Sequence, residues 1–142
     1  MTPNQIILVQ DSFARVAPIA DRAAGLFYAR LFELDPSLRP LFKGDVGEQG
    51  KKLMGALATV VGGLNDVSRI VETVRGLGRA HVRFGVKPEH YATVGQALLW
   101  TLEQGLGKAA FTPEVKDAWA AAYGLVAKTM LEAAKYPGKA AA

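Results

Sequence analysis

Apolar residues recur along this chain at intervals of three and four, and no segment alternates convincingly at a spacing of two. Thr2-Pro3-Asn4-Gln5 opens the first run with a hydroxyl cap, a proline in the first turn and a glutamine three residues after the cap. Ile6, Val9, Phe13 and Val16 then share one face. Pro18 marks a corner, and the pattern predicts a second helix over about residues 20–34. Asp35-Pro36 stops it, and residues 37–42 read as a short, tight turn of helix. After a loop over 43–48, a long helix is predicted over 49–64, with Leu53, Leu57, Val60 and Leu64 on one side. A connection over 65–73 leads to a helix closed by Gly85. Lys87-Pro88-Glu89 opens the next, over about 88–105, carrying Tyr91, Val94, Leu98 and Leu102. Thr112-Pro113-Glu114 opens the last, whose inner face is Trp119, Tyr123, Val126 and Met130. The prediction is an all-α chain of seven to eight helices, forming a single domain over 1–142 with a frayed tail over 135–142.

One residue breaks the apolar pattern from inside. His81 falls on the stripe Val74, Leu77, His81 and Phe84, while Arg75, Arg79 and Arg83 take the opposite side. The imidazole is therefore expected to point inward, where a neutral ring either satisfies a backbone carbonyl or holds a metal. The stripe alone leaves both readings open. His90, two residues after Pro88, reads as a capping or surface residue.

Composition narrows the chemistry. The chain has 142 residues, half of them apolar, and no cysteine, which excludes disulfides, thiolate catalysis and iron–sulfur ligation. The stretch Leu53 to Leu64 is too short for a membrane span and is interrupted by three glycines. With no secretory leader pattern in the first thirty residues, the expectation is a cytoplasmic protein without a membrane partner. Net charge is +4, yet only Arg75, Arg79 and Arg83 form a stripe, and no aromatic residues alternate with them. That argues against nucleic acid as a partner. The stripe reads as a solvated helix face, with a docking patch for an acidic redox partner as the other reading.

The order of these pieces resembles the globin family, most closely the bacterial single-domain globins related to the haem domain of flavohaemoglobins. The strings that carry the resemblance are Leu26-Phe27-Tyr28, Pro40-Leu41-Phe42, Glu48-Gln49, Leu77-Gly78-Arg79-Ala80-His81, His90-Tyr91, Ala118-Trp119 and Tyr123-Gly124. It covers about residues 5–132 and implies a globin fold holding haem b, iron protoporphyrin IX, among packed helices.

By this resemblance His81 matches the proximal iron ligand, and its second N–H is expected to meet a carbonyl one turn back, at Leu77. Phe42 matches the phenylalanine that wedges against the haem face. Leu53, Val86 and Val94 match apolar haem walls, and Lys52 is placed to reach a propionate. Tyr91 matches a tyrosine that bonds the proximal histidine alongside a glutamate. That glutamate position is Ala134 here, and Glu132 is expected to face away, which weakens a peroxidase-like reading. Tyr28 and Gln49 match distal residues that donate hydrogen bonds to a diatomic ligand. Ala24 and Gly50 are small enough to let their two helices cross closely and bring both donors together.

The resemblance implies reversible binding of O2, with CO and NO as other ligands, at a five-coordinate ferrous iron. The alternative is an enzyme, an NO dioxygenase. No Gly-x-Gly-x-x-Gly follows a strand in this chain, so turnover is expected to require a separate reductase. A third reading is a haem-free globin-fold module for signalling or scaffolding, which has no need of His81, Tyr28 and Gln49 together. Oligomeric state is not legible in the sequence.

Overall fold

The computed structural model describes the backbone of residues 1–42 and 45–141, with side chains through 134 in the second stretch. Among the described residues there are six α-helices: α1 (Pro3–Val16), α2 (Ala20–Leu34), α3 (Val46–Gly62), α4 (Val71–Arg83), α5 (His90–Leu106) and α6 (Pro113–Ala141). Short 3-10 turns over Ala17–Ile19, Pro36–Leu41 and Val67–Arg69 join them, and no strand occurs among the described residues. The expected seven to eight helices thus resolve into six α-helices and three tighter turns. The prolines explain the difference at Pro36–Leu41: neither Pro36 nor Pro40 can donate a backbone bond, so an α-helix does not propagate there. Of the tail expected to fray, the backbone continues α6 to Ala141, and residue 142 lies outside the described residues, as do 43 and 44 of the expected loop.

Side-chain caps set the starts of α1, α3 and α6. At α1 the Thr2 hydroxyl accepts from the Gln5 N–H at 3.1 Å while the Gln5 side chain accepts from the Thr2 N–H at 3.0 Å. Thr112 caps α6 by accepting from Val115 N–H at 3.3 Å. α3 begins at Val46, three residues earlier than predicted, because the Asp45 carboxylate accepts from Gly47 N–H at 2.9 Å and serves as its cap. α5 begins at His90, since Pro88 and Glu89 form a turn before it.

The helices pack in crossed pairs, α4 on α6, α2 on α5 and α3, and α1 on α6. Val9, Val16, Phe27, Leu31, Leu98, Leu102 and Trp119 fill the centre. Trp119 brings a polar edge into that core, and its Nε1–H donates to Ser12 Oγ at 2.8 Å, so burial leaves it satisfied. Among the described residues no helix is long and apolar enough to cross a membrane.

Two glycines fix how closely the helices approach. A Cβ on Gly50 would stand 2.9 Å from Ala24 Cβ, so α2 and α3 cross at a distance that only small residues allow. A Cβ on Gly78 would lie 2.3 Å from the Met130 carbonyl oxygen and 2.7 Å from its Cα. There α4 rests directly on the backbone of α6. Both crossings position residues picked out in the sequence: Tyr28 and Gln49 at the first, His81 at the second.

Candidate functional site

His81 lies in the last turn of α4, half-buried. Its Nδ1 is 2.6 Å from the carbonyl oxygen of Leu77. A carbonyl can only accept, so Nδ1 carries a proton and donates it, and in that tautomer the lone pair lies on Nε2. Nε2 has no hydrogen-bond partner among the described residues. The expected bond to the preceding turn is present. The carbonyl occupies Nδ1, and the ligand-capable nitrogen stays free.

The chain just past His81 is equally constrained. Val86 N–H donates to the His81 carbonyl at 3.0 Å and Gly85 N–H to Val82 at 3.0 Å, the paired bonds of a Schellman ending. Gly85 supplies the left-handed residue this requires, with φ of 89°, and a Cβ there would sit 3.4 Å from Leu41. The ending ties Val86 to the backbone of His81 and brings the helix end against the segment that carries Phe42. It also corrects one expectation. Phe84 does not continue the inner stripe, because the helix closes at Arg83 and the ring turns outward, 67% exposed.

On the other side, Tyr28 is 5% exposed in α2 and its ring meets Phe42 edge-on with centroids 5.2 Å apart. Burial pushes its hydroxyl pKa up to about 12, so at neutral pH it remains a proton donor. That proton goes to the backbone carbonyl of Gln49 at 3.2 Å, a long bond. The sequence reading brought Tyr28 and Gln49 together, and the α2–α3 crossing does so. It did not find that the tyrosine is parked on the glutamine's own carbonyl. The Gln49 amide makes no hydrogen bond among the described residues, and its side chain is half-buried.

Phe42, Leu53, Leu57, Leu77, Val94 and Tyr91 are half-buried and pack against the core. Tyr91 stands 6.4 Å from His81 between ring centroids, and no hydrogen bond joins them among the described residues. Tyr123 donates its hydroxyl proton to the Tyr91 carbonyl at 2.6 Å instead, and burial holds the pKa of both phenols above the ordinary value. Lys52 is exposed on α3, Ala134 is half-buried and Glu132 is exposed. His90 accepts from Lys87 N–H through Nδ1 at 3.0 Å, a local cap. Leu53 and Leu57 also border a small apolar cavity of about 10 Å³ between α1, α2, α3 and α5. A larger cleft of about 380 Å³, near Asn65, Asp66 and Arg69, contains none of the predicted site residues.

The donor set decides what such a site can hold. Among the described residues no three His, Asp or Glu side chains gather as a metal cage. One imidazole cannot retain a bare ion, since metals bound by protein alone need several ligands. A single imidazole with Nε2 unpartnered, together with half-buried apolar and aromatic side chains, is chemically suited to a flat apolar cofactor that brings its own equatorial ligands.

Comparison with known proteins is consistent with that geometry. The family model described as Globin matches residues 25–130. A flavohemoprotein of Bordetella pertussis is 40% identical over 108 residues, covering 74% of this chain and 27% of that protein. A flavohemoprotein of Bacillus subtilis is 35% identical over 136 residues, covering 92% of this chain and 34% of its own length. The chain thus spans about a quarter to a third of the flavohemoproteins it matches. A solved bacterial globin from Campylobacter jejuni superposes with a TM-score of 0.85 at 28% identity, over 97% of this chain and 99% of that one. With the family model, the relatives and the superposition in agreement, the chain belongs to the globin family.

Proposed function

We propose that this chain is a haem-b globin of the cytoplasm that reversibly binds O2, and also CO and NO, with His81 as the proximal iron ligand. The observation that carries the reading is the Nδ1–H of His81 held by Leu77 at 2.6 Å, which commits the ring to offering Nε2. Haem, when bound, would supply a ferrous iron able to take small diatomic ligands.

The residues divide the remaining work. Leu77 fixes the tautomer and orientation of the imidazole. Phe42, Leu53, Val86, Val94 and Tyr91 exclude water and grip an apolar macrocycle, and Lys52 reaches the carboxylates at its edge. Tyr28 and Gln49 supply N–H and O–H donors on the distal side. A donor aimed at an atom that accumulates negative charge contributes on the order of 1.5–3 kcal/mol, or about one to two decades in affinity. To act in this way Tyr28 must leave the Gln49 carbonyl, and its 3.2 Å bond there is weak enough to exchange.

Haem titration of the wild type and of His81→Ala tests this reading. The wild type should bind one haem with a Soret band. The variant should lose most of it, and added imidazole should restore it. Normal haem retention in His81→Ala would remove His81 from the iron. A second reading, NO dioxygenation with electrons from a separate reductase, is favoured by the flavohemoprotein relatives, of which the matched region is 27% and 34%. Sustained NADH-driven nitrate formation with an added reductase separates it from simple binding.

A further inference from the structure

One surface takes no part in the site above, although it lies on the same helix. Arg75, Arg79, Val82 and Arg83 follow an i, i+4, i+7, i+8 spacing along α4 and share its outer face. Val82 is 49% exposed and Phe84, just past the helix end, is 67% exposed. Lys87 follows, also exposed. Of these cations only Arg75 has an ion-pair partner among the described residues, Glu72 at 2.8 Å. Half-buried Arg79 and exposed Arg83 and Lys87 thus flank two exposed apolar side chains, Val82 and Phe84, along the chain, with Glu89 the next acidic residue.

The Phe84 ring leaves 67% of its surface to solvent and Val82 beside it in sequence leaves 49%. An aromatic centre with a cationic rim matches the make-up of a protein contact, in which aromatic and Arg residues are enriched. We infer that the Arg79/Val82/Arg83/Phe84/Lys87 patch docks an acidic electron-donor protein, a reduced flavoprotein or iron–sulfur protein, against the helix that carries His81. The inference rests on the haem reading above. Charge complementarity chooses the occupant. A second copy of this chain would bring the same three cations face to face, a repulsion that disfavours self-association. An acidic partner would be steered in, and Phe84 would give it an apolar anchor. Position supports the choice as well: Phe84 is three residues from His81, so a donor seated here lies beside the proximal end of the site. The step it serves is a one-electron transfer. The donor's reduced centre is oxidised by one electron and ferric haem iron becomes ferrous, with no bond made or broken in the chain.

The probe is a plant-type [2Fe–2S] ferredoxin, an acidic one-electron donor, used with the whole haem-loaded chain. In an NMR titration of 15N-labelled protein, backbone amides at 79 and 82–87 should shift. In stopped-flow reduction under CO, the double variant R79E/R83E should slow the second-order rate by about ten-fold or more at low salt. Phe84→Ser should raise the dissociation constant without changing the salt dependence. Reduction by dithionite should be the same in all three proteins, which also shows that the haem site is intact. Unchanged ferredoxin rates in R79E/R83E, or amide shifts confined to other helices, would overturn the proposal. So would capture by anionic phosphatidylserine vesicles that R79E/R83E abolishes while ferredoxin rates stay constant, or a concentration-dependent dimer broken by Phe84→Ser. If the chain takes up no haem, the functional reading fails, and the NMR titration still judges the docking surface by itself.

Discussion

Replacing Gly78 with alanine probes the contact that holds the His81 helix in place. The added Cβ would meet the Met130 carbonyl oxygen at 2.3 Å, its Cα at 2.7 Å and its carbonyl carbon at 2.8 Å. All three are backbone atoms, so no side chain can rotate away. The oxygen contact is about 1 Å short of ordinary van der Waals distance, and α4 must move off α6 by a comparable amount. Overpacking of this kind costs about 1–3 kcal/mol, equivalent to roughly 3–12 °C in Tm for a chain of this size. The internal control is Gly76, two residues earlier on the same helix, where a Cβ meets nothing within 4 Å. Gly76→Ala should therefore stabilise the protein by roughly 0.5–1 kcal/mol, through helix propensity alone. The assay is thermal and urea unfolding followed by circular dichroism, with haem release to excess apomyoglobin as a second readout. Gly78→Ala should also release haem faster, because a displaced α4 takes the imidazole with it. If the two substitutions change stability in the same direction, or if Gly78→Ala leaves both Tm and haem release unchanged, the close-crossing argument fails.

Other predictions follow from the same geometry. Tyr28→Phe should speed O2 dissociation by roughly ten-fold or more, measured by stopped flow with CO replacement, since it removes one donor to a charged acceptor; an unchanged rate would leave Tyr28 a packing residue. Gly50→Leu should destabilise the chain by about 1–3 kcal/mol and weaken O2 binding, since a Cβ there already collides with Ala24 at 2.9 Å. Alkaline stability carries a defined sign. The Tyr28 hydroxyl is raised from 10.0 to about 12 in the folded protein, so its contribution is fully present below pH 10 and is lost as pH rises toward 12. Over that window stability should fall by up to about 1.4 kcal/mol per pH unit for Tyr28, and urea midpoints for Tyr28→Phe should show a shallower fall. Tyr91 and Tyr123 are shifted the same way and add to the slope.

What the sequence reveals and what it hides have physical causes. Capping boxes and helical stripes depend on neighbours three and four residues apart, so α1, α6 and the inner faces of α3 and α5 are legible directly. The His81–Leu77 bond is local in the same sense, one turn within one helix. The α2–α3 crossing is legible because Ala24 and Gly50 lack the atoms that would prevent it. The end of α4 is harder. Hydrophobic periodicity continues through Phe84, but the Schellman bonds of Gly85 and Val86 stop the helix at Arg83 and turn the ring to solvent. Asp45 was a visible cap, yet Glu48-Gln49 drew the predicted start of α3 too late. The bond from Tyr28 to the Gln49 carbonyl leaves no trace in the sequence, because any residue supplies a backbone acceptor.

The account stands on His81 Nε2 meeting iron. Resonance Raman spectroscopy of the ferrous, ligand-free protein, with 54Fe and 57Fe haem, measures that bond directly. An isotope-sensitive iron–histidine stretch in the wild type, absent from His81→Ala and restored as an iron–imidazole band by added imidazole, is the predicted result. A spectrum of six-coordinate ferrous haem, or an iron–histidine band that survives in His81→Ala, would contradict it.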